Sequence, residues 1–266
     1  MLRSVFLKTL RDRRRALMWW GIGLIALTLY TVLFYPSVRD LPELNQILEQ
    51  APEALLKLLV GEITDFTSPV GYLNSQLFAF MTPLLFLIFT IGFGSNAIAG
   101  EEEQGTLDWL LSNPLSRWRV VTEKFGALVV STLVLAFVSW LGLAIGARMV
   151  NLDISLGRLV EATFSGVLLA LVFGTLALAL GCATGSRGSS LGVTAAIGVA
   201  TYFLNSLGLI VEALEPYRRL SPFYYYNAAD PLASGLDVGH AMVLVGLTVV
   251  LLIVAVITFE RRDLGV

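Results

Sequence analysis

Six stretches of about 18 residues or more contain no Asp, Glu, Lys or Arg, and this pattern constrains the chain more than any other feature. They cover residues 16–35, 77–99, 125–147, 162–182, 191–211 and 241–259. A helix rises about 1.5 Å per residue, so some 20 apolar residues cross the roughly 30 Å of bilayer hydrocarbon. A charge at the centre of such a helix costs about 2.5–3.5 kcal/mol on insertion scales, which makes six uncharged blocks hard to explain in a water-soluble fold. Composition agrees: 56% of residues are hydrophobic and 14% charged, against about 45–50% and about 25% in soluble domains. The expected fold is an all-α polytopic membrane protein, one transmembrane domain spanning 1–266 with six transmembrane helices.

The first block follows a basic stretch, as in a secretory signal, but it is too long, and Phe34-Tyr35-Pro36 offers no small-residue cleavage site. It reads as a retained helix. An even number of spans puts both termini on one side, where twelve Lys and Arg gather, against six on the other. The positive-inside rule makes the termini cytoplasmic in a multi-pass protein of the cell membrane, with 36–76 and 212–240 as exterior loops. The first exterior loop, with six acids and leucines at mostly helical spacing, suits a cap over the helix ends or a gate. The second is rich in proline and aromatic residues, Phe223 to Tyr226 among them. Short half-helices dipping back into the membrane fit it, since irregular backbone is tolerated at that depth when protein covers it. Residues 1–15 carry six basic side chains among Leu2, Val5, Phe6 and Leu10. That suits an N-terminal amphipathic helix along the inner leaflet, drawn to anionic lipid, and equally a topogenic flank.

The loop at 100–124 is the informative one. It leaves the membrane through Glu101-Glu102-Glu103 and continues Gln104-Gly105-Thr106-Leu107-Asp108-Trp109-Leu110-Leu111-Ser112-Asn113-Pro114-Leu115-Ser116-Arg117. Leu107, Leu110 and Leu111 recur at i, i+3 and i+4, giving one short apolar helical face that Pro114 terminates. Such a face packs in a groove on a cytoplasmic partner, or lies on the membrane as a linker. The three glutamates read as a solvated helix entry in preference to a cation site. Asp108 and Glu123 read as surface partners of Arg117, Arg119 and Lys124.

The run Glu-x-x-x-Gly-Thr-Leu-x-x-Leu-Leu-x-x-Pro-x-Ser-Arg with a following Lys resembles the cytoplasmic loop of ABC-2 type transporter permeases. Its members here are Glu101, Gly105, Thr106, Leu107, Leu110, Leu111, Pro114, Ser116, Arg117 and Lys124. Leu220-Ser221-Pro222-Phe223 and the terminal Phe259-Glu260-Arg261-Arg262-Asp263-Leu264 extend the similarity over the chain. The resemblance implies that the loop is a coupling helix docked on a separate cytoplasmic ATPase subunit, which binds ATP and Mg. It also implies a second permease subunit, identical or similar, with the two halves enclosing the substrate path, and it favours export.

No Gly-x-x-x-x-Gly-Lys-Ser/Thr loop exists here, so no cofactor is expected in this chain and the chain is not expected to be an enzyme. One histidine, His240, excludes a His-Glu-x-x-His zinc peptidase, and no span holds a His or Lys base for a serine peptidase. The lone Cys182 excludes an internal disulfide. A net charge of −2 points to no particular partner, and no nucleic acid is expected among them. The alternative class is a channel, a secondary carrier or a scaffold without an ATPase, but ion-coupled carriers usually keep an ionisable residue at midplane. The spans hold only neutral polar groups. Of these, Asn205 is placed for an interhelical hydrogen bond or for substrate contact, and Pro83 should kink the second span. Rows of small residues, including Gly142 and Gly146, Gly181 and Gly185, and Gly192, Ala196 and Ala200, mark close helix contacts.

Overall fold

The computed structural model describes residues 4–39, 67–107, 116–227 and 230–262. Among these the chain is helical, with no strand. The elements are α1 (Val5–Arg39), α2 (Pro69–Leu73), a π-helical turn (Asn74–Phe78), α3 (Met81–Ala97), α4 (Ala99–Glu103), α5 (Arg117–Met149), α6 (Leu156–Thr184) and α7 (Arg187–Leu207). A 3-10 segment (Glu212–Leu220), α8 (Pro222–Asn227) and α9 (Val238–Arg261) complete it. Six helical stretches are long and apolar enough to cross a membrane: α1, Pro69–Ala97, α5, α6, α7 and α9.

Every expected span is present, and five of the six reach further than the uncharged blocks. The extension is largest in α1, which begins at Val5 instead of residue 16, and α5 likewise begins at Arg117 instead of residue 125. Charges end a block in the sequence but not a helix in space, because Arg117, Glu123 and Lys124 find partners within the protein. The first fifteen residues are not a separate interfacial element among the described residues. Phe6, Leu10, Leu17 and Trp20 continue the stripe that ends in buried Leu24, and one helix runs without a break from Val5 to Arg39. In the opposite sense, α7 stops at Leu207, four residues before the end of its block, with Gly208 as its cap.

α6 is the axis: 83% of its apolar window is buried, against 22–28% for α1, α7 and α9. It packs on α3, α9, α5 and α7, and α1 packs on α5. Backbones meet most closely at Gly94 and Gly174, where a Cβ on Gly94 would run into the Gly174 carbonyl. Gly142 and Gly146 admit α1 in the same way, a Cβ on Gly146 meeting that of Val32 at 3.0 Å, as the small-residue spacing predicts. Gly192 instead faces open space.

Pro83 acts more strongly than a kink. It has no N–H, and its ring excludes a helical carbonyl at Ala79. The chain accordingly passes through a π-turn, with Ala79 N–H donating to Asn74 O at 2.7 Å, breaks at Phe80 (φ −141°) and restarts at Met81. Near the other end of the chain α8 folds back into the bundle, as the breaker-rich composition suggests. Ser221 Oγ donates to Thr201 O at 2.7 Å, Phe223 packs on Phe173, and the buried Tyr226 hydroxyl donates to Phe78 O at 2.6 Å.

Candidate functional site

The segment from Glu101 to Lys124 begins as the short helix α4. Its end explains the Glu-x-x-x-Gly-Thr spacing. Gly105 adopts φ +66°, its N–H donates to Glu102 O at 2.9 Å, and Thr106 N–H donates to Glu101 O at 2.8 Å. This paired closure is a Schellman stop, which needs a left-handed residue and so favours glycine. Thr106 Oγ1 adds a second bond to the Glu101 carbonyl, at 3.1 Å. Leu107 then turns inward: it is 2% exposed, in a cluster with Val120, Val121, Cys182 and Phe259. It therefore anchors the segment to the bundle, and its side chain is not part of an outward docking face. Leu110, Leu111 and Pro114, with Asp108, lie outside the described residues.

The three consecutive glutamates reach three different helices. Glu101 pairs with Lys124 of α5, which is 3% exposed; Glu102 pairs with Arg262 just past α9; and Glu103 accepts from the Arg187 backbone N–H at the start of α7, at 2.8 Å. They were expected to be solvated; Glu103 is exposed, whereas Glu101 and Glu102 are part-buried against their partners. Arg262 also donates to Cys182 O, at the end of α6, at 3.1 Å. Arg117, expected beside Asp108 or Glu123, opens α5 and donates through Nη1 to Phe259 O and Arg262 O, at 3.2 and 2.6 Å. The sequence thus leaves the bundle tied to the end of α9 by Glu102 and returns tied to the same place by Arg117. Glu123 does pair with Arg119, as expected, and it also receives Ser4 Oγ and Phe6 N–H at 3.0 and 2.9 Å, which fastens the start of α1. Among the described residues no cluster of three His, Cys, Asp or Glu could hold a metal ion.

A second feature is an apolar cavity of about 340 Å³ between α3 and α7, lined by Pro83, Leu87, Ile91, Val199, Tyr202 and Phe223 among others. It opens where Pro83 interrupts the second span, so Pro83 both breaks the helix and lines the space. Asn205 does not reach it. Its side chain is 2% exposed, and among the described residues its Oδ1 has no hydrogen-bond partner. Of its aromatic lining residues, Phe80, Tyr202, Phe203 and Phe223, the sequence marked out only Phe223, as one of the aromatics of the second exterior loop.

Residues 3–264 match the family described as ABC-2 family transporter protein. The chain belongs to that family. It is a multi-pass membrane protein, and the family makes it a permease subunit of an ABC transporter. A search of curated proteins finds no match.

Proposed function

We propose that this ABC-2 permease subunit couples ATP hydrolysis by a separate cytoplasmic ATPase to export, and that it works with a second permease subunit in the cell membrane. The observation that carries the reading is the double attachment of the segment between Glu102 and Arg117 to the end of α9. A partner that moves this segment moves α9, α5 and, through Glu103, the start of α7. The twelve-to-six distribution of basic residues supports placing that segment, and both termini, in the cytoplasm. The cavity beside Pro83 supports a substrate path with apolar walls, which a second subunit would close. ATP and Mg reside on the partner ATPase, and this chain alone neither binds nor hydrolyses ATP.

The test is the double variant Leu110→Asp with Leu111→Asp. Charge placed in an apolar docking contact costs several kcal/mol, about 2–7 for an uncompensated polar group. The variant should reach the membrane at normal levels and lose co-purification with its ATPase. Retained co-purification and retained permease-dependent ATP turnover, at equal expression, would remove the docking assignment.

A further inference from the structure

The cavity between α3 and α7 selects by polarity and by shape. Of the thirteen residues that line it, only Tyr202 carries a polar side-chain atom, and none is charged. A sugar or a peptide entering such a space gives up its hydrogen bonds to water with nothing in return. The two walls are of equal length: Pro83 to Ile91 on α3 and Ala195 to Phe203 on α7 each rise about 12 Å. A volume of about 340 Å³ over that length leaves a mean cross-section of about 28 Å², enough for one extended alkyl chain and narrower than a fused-ring skeleton. The rim is apolar as well. Phe80, Ile88, Val199 and Phe203 line the cavity and are 45, 50, 57 and 48% exposed, so a chain sliding in from the side meets no polar group.

We propose that this cavity binds one alkyl chain of an amphiphile, taken up sideways from the exterior half of the bilayer. The inference rests on the substrate path proposed above and names the chemistry that path accepts. Depth favours a chain: about 12 Å is close to the roughly 15 Å of hydrocarbon in one leaflet, half of about 30 Å. Placement agrees under the proposed topology. The Tyr202 ring meets those of Phe80 and Phe223, at 5.8 and 5.4 Å between centroids, and this cluster marks the exterior end of the cavity. Aromatic rings favour headgroup depth, so the polar end of the amphiphile stays at the surface while its chain lies along Leu87 and Ile91. The break at Phe80 and Pro83 turns the start of the second span aside and leaves this space beside α7.

The test places the whole purified chain, without any ATPase, in phosphatidylcholine nanodiscs with a lysophosphatidylcholine that carries a diazirine midway along its chain. Photoproducts are mapped by peptide mass spectrometry. Label should concentrate on Leu87, Ile91 and Ala195. Ala195→Phe, which fills the cavity, and Val199→Trp, which covers its opening, should each reduce that label about tenfold. Val199 is 57% exposed, so its variant serves even if Ala195→Phe accumulates poorly. Ile197→Phe, exposed and outside the lining, should change it less than twofold. Dodecane should compete, whereas glycerophosphocholine, the headgroup without a chain, and adamantane, apolar but compact, should not. Label spread evenly over the exposed faces of α1, α5 and α9, equal label in all variants, or equal competition by adamantane would overturn the site. So would a disulfide between two copies of Val199→Cys, in a Cys182→Ser background, that forms as the label is lost, since a second copy would then fill the space. In the complex with its ATPase, the lysolipid should change ATP turnover of the wild type and not of Val199→Trp. Specific label without that response would uphold the chain site and refute the substrate path; the response without the label would refute the site.

Discussion

Replacing Lys124 with methionine removes one charge of the pair that ties α4 to α5 and leaves the stem in place. Lys124 is 3% exposed and Glu101 16%, and among the described residues the second oxygen of Glu101 has no hydrogen-bond partner. Breaking a fully buried pair costs about 3–5 kcal/mol, because the remaining charge is stranded. Glu101 keeps some contact with water, and exposed pairs contribute only about 0–1 kcal/mol, so a loss of about 2 kcal/mol is expected here. Glu101→Gln should cost less, about 1 kcal/mol, because an amide still accepts from the lysine. The double variant decides between pairing and packing. If the pair is the interaction, Glu101→Gln with Lys124→Met should be no worse than Lys124→Met alone, a coupling of about 1 kcal/mol in reversible mixed-micelle unfolding. Costs that add within about 0.3–0.5 kcal/mol would show that each residue acts separately, and the tie between α4 and α5 would then rest on Leu107 alone.

Gly105→Ala meets no atom within 4 Å, so its cost of about 1–2 kcal/mol should come from backbone conformation alone, and Gly105→Asn should be milder in the same unfolding assay. Tyr226→Phe removes the 2.6 Å buried bond to Phe78 O and should cost about 1–3 kcal/mol with no change in membrane level. Asp237 caps α9 by accepting from the His240 backbone N–H at 2.8 Å, which holds its carboxyl below the ordinary aspartate range. Its contribution is therefore complete above about pH 4 and lost as pH falls through the lower folded value; Asp237→Asn should flatten that acid-side loss in melts taken across pH. Cysteines at Arg119 and Arg219, both exposed, should react with an impermeant reagent from the cytoplasmic and exterior sides respectively, while buried Cys182 stays silent; labelling of position 119 from outside intact cells would reverse the proposed topology.

The spans were legible because the bilayer penalises charge, and an uncharged block of 20 residues leaves few alternatives. Their true ends were not, because Lys124 and Glu123 lie on a helix that the sequence marks only as a charged flank. Their partners Glu101, Ser4 and Phe6 stand 23, 119 and 117 residues away. Pro83 announced the break in the second span, since a missing N–H and a bulky ring act locally. The π-turn before it has no comparable sign in Asn74 to Phe78. The Glu-x-x-x-Gly-Thr motif was recognised by resemblance, and the left-handed Gly105 supplies its reason. The destinations of Glu102 and Glu103 could not be read, because a carboxylate does not reveal whether it faces water or an arginine 160 positions downstream.

The clasp and the burial pattern together indicate where motion would enter under the proposed coupling. Glu102 and Arg117 both end on the last turn of α9 or just beyond it, so the segment between them cannot shift as a unit without pulling that turn. α9 packs along α6 on one side but leaves its outer face uncovered, with 22% of its apolar window buried, whereas α6 has 83%. A helix gripped at one end and packed on one face only can tilt more readily than an enclosed one. α6 cannot, because the Gly94–Gly174 contact locks it to α3 at backbone distance, and interiors packed that closely switch between discrete arrangements instead of deforming smoothly. The α3–α6 pair is then the fixed frame, with α9, and α7 through Glu103, as the moving wall. The cavity lies between α3 and α7, at the seam of frame and wall, where a small tilt changes its width most.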